Sequence, residues 1–175
     1  VYIHMVRVED GVLHAGDTVT LTIDTERRDA IRRNHTAAHL LQAALRQVLG
    51  DHVSQSGSYV DAERVRFDFT HFQAMTPEQV KAVEAIVNRH ILAAEPCTTT
   101  VAGIEEARKM GALALFGEKY GDKVRVVHAG TSSLEFCGGT HVANTGNIGL
   151  FRVLSESSVA AGIRRIEGVT GTGVL

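Results

Sequence analysis

Two short stretches carry the side chains best suited to chemistry. His35-Thr-Ala-Ala-His39 sets two imidazoles four residues apart, and Cys137-Gly-Gly-Thr-His141 sets a thiol and an imidazole at the same interval, about a hundred residues later. On a helix, a spacing of four brings two side chains to one face, where both can reach a single ion. In the second stretch Gly138 and Gly139 let the backbone turn sharply, so that His141 points back toward Cys137. Each half alone is a weak signal. Together, three nitrogen donors and one sulfur suit zinc, expected here as the cofactor on His35, His39, Cys137 and His141. Four protein ligands in a closed tetrahedron are the pattern of structural zinc, whereas catalysis needs an exchangeable position. Against that, the chain has enough apolar residues to fold without a metal staple, which favours a functional site. Thr36 stands where the HExxH metalloproteases carry their glutamate, which counts against protease chemistry. His4, His14, His52, His71, His90 and His128 lack a comparable partner in the sequence and read as ordinary histidines.

The elements that must position these donors follow from periodicity. Residues 1–23 read as short strands, with hairpin signals at Glu9-Asp10-Gly11 and Ala15-Gly16-Asp17. Residues 25–33 are charged and read as a connector or a helix start. From Asn34, a plausible N-cap, Leu41, Leu45 and Val48 continue a helical face until Gly50. Residues 54–59 form a polar, flexible stretch, followed by a half-buried strand in which Val65, Phe67 and Phe69 alternate with Arg66 and Asp68. Thr76-Pro77-Glu78-Gln79 predicts a capped helix whose buried face is Val80, Val83, Ile86, Val87 and Ile91. Cys97, after Pro96, reads as a small packed hydrophobe at a helix end. A short helix is expected over 104–110, and strands over 124–128, 133–136, 150–154 and 164–169. Helices and strands mix without regular alternation, so the expected class is α+β, a mixed or antiparallel sheet packed with helices around the metal site.

Composition narrows the function classes. Hydrophobic residues make up 44% and charged residues 22% of 175, an ordinary globular balance. Aromatics are only 5%, with no Trp, which disfavours base stacking as a main grip on single strands. The net charge of −2 requires any nucleic-acid contact to be local. The arginine pairs Arg27–Arg28, Arg32–Arg33 and Arg164–Arg165 are the places for it, or else solvated surface. Two cysteines exclude a disulfide scaffold and suggest a reduced, cytoplasmic setting, and no apolar run is long enough for a membrane span. Val1 falls within what reads as a strand, so the chain is expected to be a piece of a longer polypeptide.

The stretches Arg32-Arg33-Asn34-His35-Thr-Ala-Ala-His39-Leu-Leu and Glu135-Phe-Cys-Gly-Gly-Thr-His141-Val closely resemble the editing domain of bacterial alanyl-tRNA synthetase. The likeness continues through Gln55-Ser-Gly-Ser58, Arg66-Phe-Asp-Phe69, Gly111-Ala-Leu-Ala-Leu-Phe-Gly-Glu-Lys-Tyr120 and Ala160-Ala-Gly-Ile-Arg-Arg-Ile-Glu167, covering about residues 30–173. Free-standing alanyl-tRNA editing proteins and the threonyl-tRNA synthetase editing domain share this core. The resemblance implies an editing core over 26–175, preceded at 1–25 by the remnant of a small β-barrel. It implies an aminoacyl-tRNA deacylase within an alanine–tRNA ligase, hydrolysing Ser-tRNA(Ala) and Gly-tRNA(Ala) while sparing Ala-tRNA(Ala). Its partners would be the acceptor end of tRNA(Ala) and the rest of the synthetase, with no membrane. Gln55 would wall the amino-acid pocket, and Arg164 or Arg165 would meet acceptor-stem phosphates. Thr36 and Thr140 flank the ligands and either hydrogen-bond them or make local caps. A non-catalytic tRNA-docking module with structural zinc, and a metal-dependent hydrolase of small esters or amides, are the competing readings.

Overall fold

A computed structural model describes residues 3–114 and 120–175. Val1 and the middle of the Gly111–Tyr120 motif, residues 115–119, lie outside the described residues. The chain is α+β, with three α-helices and two antiparallel sheets among the described residues. In order these are α1 (Thr25–Leu49), β1 (Gln55–Val60), β2 (Val65–Thr70), α2 (Pro77–Leu92), β3 (Cys97–Gly103), α3 (Ile104–Lys109), β4 (Lys123–Ala129), β5 (Ser133–Phe136), β6 (Phe151–Ala160) and β7 (Ile163–Thr170), with short 3-10 turns at Thr145–Ile148 and Gly171–Val174. One sheet runs β1-β2-β7-β6 and the other β3-β4-β5. No helix is long and apolar enough to cross a membrane among the described residues.

Helix α1 carries the first ligand pair and is longer than its periodicity suggests. Asp24, not Asn34, is its N-cap, accepting from Arg27 N at 2.9 Å, and Gly50 at φ 115° ends it. The charged run 25–33 is therefore helix, extending an amphipathic stretch whose Ala37, Leu40, Leu41, Ala44 and Leu45 are fully buried. Asn34 instead ties the helix to the sheet. Its Nδ2 donates to Asp61 O at 2.9 Å, and its Oδ1 accepts from Thr170 Oγ1 at 2.7 Å. Helix α2 has the expected capping box, with Thr76 Oγ1 and Gln79 Oε1 each bonded to the other's backbone. The two helices cover one face of the four-stranded sheet, where Phe67, Phe69, Phe151 and Ile166 fill a common core.

Four sequence expectations need correction. Residues 3–23 contain the two turns, with Gly11 at φ 77° and Gly16 at φ 95°, but pair into no strand, and no barrel forms among them. Ile3, Met5, Val12, Val19 and Leu21 stay exposed, and a hairpin without a third strand or an apolar surface to cover is marginal in water. The polar stretch after Ser54 is strand β1, because pairing with β2 satisfies its backbone whatever its polarity. Cys97 starts β3 rather than closing a helix, half-buried against the main core. Strand β2 is buried on both faces, since Asp68 pairs bidentately with Arg165 of β7 at 2.7 and 2.7 Å. Of the histidines expected to lack partners, His52 Nε2 meets His71 Nδ1 at 2.9 Å.

The smaller sheet positions the second ligand pair. Leu113 bridges the free edge of β5 in parallel, with Leu113 N donating to Leu134 O and Phe136 N to Leu113 O, both at 2.8 Å. Cys137 follows directly, its N–H donating to Arg125 O at 3.0 Å. A second, smaller apolar cluster of Ala102, Ala107, Ala112, Val124, Val126 and Phe136 holds this unit together.

Candidate metal centre

The fold brings both pairs to one point. Donor atoms of His35, His39, Cys137 and His141 all lie within 4.8 Å of one another. Cys137 Sγ is 3.4 Å from His35 Nε2 and 3.3 Å from His141 Nε2. Ligands of a tetrahedral zinc, at ~2.0 Å for nitrogen and ~2.3 Å for sulfur, sit roughly 3.3–3.6 Å apart. His39 Nε2 is buried with no hydrogen-bond partner, an orphan that a metal ion would satisfy. The group can hold a metal ion.

Neighbouring groups settle which nitrogen His39 and His141 turn inward. His39 Nδ1 lies 2.8 Å from Glu135 Oε2, and Ser133 Oγ donates to the other carboxylate oxygen at 2.8 Å. Glu135 is buried, so this link is shielded from water. Thr36 does the same for His141. Its hydroxyl donates its one proton to Arg32 O at 2.9 Å and accepts from Val142 N at 3.1 Å. The 3.2 Å contact with His141 Nδ1 must then be donated by the imidazole, which leaves Nε2 bare toward the cluster. Thr140 bonds elsewhere, accepting from Arg28 Nη1 at 3.4 Å.

Gly139 has a packing reason of its own. A Cβ there would lie 2.5 Å from His35 Nδ1, so only glycine lets the His35 ring pass against the loop. Gly139 N also donates to Cys137 Sγ at 3.4 Å, while the Arg125 guanidinium clamps the carbonyls of Cys137 (3.1 Å) and Gly139. Burial by itself would raise the Cys137 thiol, but hydrogen bonds from His141 and His35 and the charge of nearby His39 outweigh it and bring it down to about 3. Burial lowers His39, yet the Glu135 carboxylate and the Cys137 sulfur raise it to about 10. His141 is lowered, first by burial, with the charges of His35 and His39 adding to it. The thiol is thus biased toward the thiolate that a metal ion requires, and an ion on His39 Nε2 would displace any proton held there.

Two cavities adjoin the centre. A small one of about 90 Å³ is lined by His35, His39, Cys137 and Glu135, and by Ala38, Gln42, Gln55, Ser58, Phe67 and Phe136. Gln55 lines it at a register shift between Gln55 and Gly57, and its Nε2 donates to Ser58 Oγ at 3.2 Å. A wider groove of about 590 Å³ passes His141 and is bordered by Asp29, Arg32, Arg33, Thr99 and Arg125. Arg164 and Arg165 border neither. Arg164 is held by Glu156 at 2.5 and 2.8 Å and Arg165 by Asp68, so both guanidinium forks are occupied within the sheet.

The family described as the threonyl and alanyl tRNA synthetase second additional domain matches residues 124–167. That span holds Cys137 and His141, but not the helix with the other two donors. Beyond it, the chain is 58% identical over 171 residues, 98% of its length, to alanine–tRNA ligase 1 of Lachnoclostridium phytofermentans. Over almost its whole length the chain is thus similar to one region of alanyl-tRNA synthetases. A second relative, the alanine–tRNA ligase of Pelotomaculum thermopropionicum, is 57% identical over 174 residues, 99% of the chain. The chain spans 20% of the length of either relative, so the family likeness concerns one region of a much longer ligase. Sequence reasoning missed Glu135, Arg125 and Gln42 as parts of the site. Glu135 and Arg125 carry no spacing signal, but Gln42 does, falling three residues after His39 on the same helical face.

Proposed function

We propose that this region hydrolyses the ester joining serine or glycine to tRNA(Ala) and spares alanine, with zinc on His35, His39, Cys137 and His141. The observation that carries the reading is the convergence of four donors, three of which, His35, His39 and Cys137, line a small cavity together with Gln55. A synthetic pocket made for alanine rejects serine poorly, since an apolar site discriminates weakly against an isostere with one extra hydroxyl. A second site that selects for that difference corrects the error. The cavity is small, about 90 Å³, with Phe67 and Phe136 among its walls, a size that suits a small aminoacyl group. Gln55, which lines it, is placed to hydrogen-bond the amine or hydroxyl of the substrate. Glu135 and Thr36 hold the tautomers of His39 and His141, so the donor set needs no rearrangement. When bound, zinc would fix the substrate's polar groups and acidify a nearby water.

The acceptor end of tRNA(Ala) would reach the cavity from its open side. Contact of its phosphates with Arg164 or Arg165 would compete with Glu156 and Asp68, so charge reversal at Arg165 should weaken tRNA binding and its salt dependence if that contact forms. Zinc-loaded protein should release serine from Ser-tRNA(Ala) and leave Ala-tRNA(Ala) intact, and Cys137→Ala should abolish the release. Bound zinc and a folded chain with no release would sink the hydrolytic reading. The four-donor set also supports a second reading, a tRNA-docking module with structural zinc, which predicts tRNA affinity without hydrolysis.

A further inference from the structure

Outside the four metal-ligand candidates, Gln42 is the side chain of the small cavity with a buried polar atom that no described residue answers. It lies on α1 one turn beyond His39, is 6% exposed, and its Oε1 has no hydrogen-bond partner among the described residues. A buried amide oxygen without a partner is costly, and native folds seldom keep one without a use. The other orphan of this cavity, His39 Nε2, belongs to the metal centre. Gln55 differs, because its Nε2 is already engaged by Ser58.

We infer that Gln42 is a specificity residue that reads the side-chain hydroxyl of the seryl group, its amide oxygen accepting the hydroxyl proton; this rests on the editing function proposed above. A hydroxyl both donates and accepts, so it satisfies either end of the amide. The cavity volume of about 90 Å³ corresponds to roughly three waters, room for a small aminoacyl group and little else. A glycyl group leaves space for a water to bond Oε1. A seryl group supplies the bond itself. An alanyl group puts a methyl in that place, which excludes the water and leaves the oxygen unpaired. One residue therefore accounts for acceptance of serine and glycine together with rejection of alanine.

The test uses binding, so that it stands apart from hydrolysis. Zinc-loaded protein is titrated with non-hydrolysable 3′-amide analogues of seryl-, glycyl- and alanyl-adenosine. The seryl and glycyl analogues should each bind about tenfold or more tighter than the alanyl one. Gln42→Met, of similar volume and without an amide, should bring all three to within about twofold, with zinc stoichiometry unchanged and Tm not lowered. Gln42→Leu gives the same reading should the methionine variant fold poorly. A wild-type preference that survives in either variant overturns the inference, as does a wild-type protein that binds the three alike. Absence of Ser-tRNA(Ala) hydrolysis, with the seryl preference present and lost in the variants, would remove the hydrolase and keep Gln42 as the reader.

Discussion

Gly139 shows how much of the centre rests on a single missing atom. Any Cβ there enters the His35 ring, and the loop is held in place by Arg125, so neither side can yield cheaply. Gly139→Ala should weaken zinc binding about tenfold or more while leaving the far core folded, measured by competition with a chromogenic chelator. Unchanged affinity would mean that the loop or the His35 ring relaxes and that the contact does not govern the centre. Neither Gly138 nor Gly139 has a left-handed backbone, so the tertiary contact with His35, not the turn, explains why position 139 in particular tolerates no side chain.

Among the elements, β2 and β7 carry the most informative pair. Asp68 and Arg165 face each other in register, and the hydrogen bonds from Arg165 hold the Asp68 carboxyl below its ordinary 3.8. A carboxyl lowered in the folded state stabilises above its unfolded value. That contribution is lost as pH falls from about 4 through the folded value. Asp68→Asn should therefore cost about 1–2 kcal/mol at pH 7, and the gap to wild type should narrow below about pH 3, read from urea midpoints at both pH values. A gap independent of pH would assign the loss to packing rather than charge. From the alternation of Val65, Phe67 and Phe69 the strand itself was legible. The burial of Asp68 was not, because its partner lies 97 positions away.

For the whole molecule, the metal centre joins two units with separate apolar clusters. Helix α1 belongs to the larger, and the Cys137–His141 loop leaves β5 of the smaller. Without an ion, His39–Glu135, Thr36–His141, Thr36–Val142 and Arg28–Thr140 would be among the hydrogen bonds left at this junction. Chelation should lower Tm by about 10 °C or more, with hydrogen-exchange protection lost first in β3, β4 and β5 and retained in β2 and β7. Uniform loss of protection would show one cooperative unit. The separate apolar cluster of Ala102, Ala107, Ala112, Val124, Val126 and Phe136 makes the first outcome the expected one.

What the sequence determined by itself is local or periodic. The spacing of four in both ligand pairs, the Thr76–Gln79 capping box, the buried stripe of α2 and the strand at Ser133–Phe136 are each written in a few consecutive residues. Only the tertiary structure decided which nitrogens of His39 and His141 turn inward, that Gln55 lines the small cavity, and that Arg164 and Arg165 are held by carboxylates. It also decided that the first residues, despite their strand-like alternation, pair with nothing described here. The physical reason is the same in each case. A hydrogen bond, an ion pair or a strand edge is satisfied by whatever the fold brings alongside, and chain neighbours carry no record of that partner.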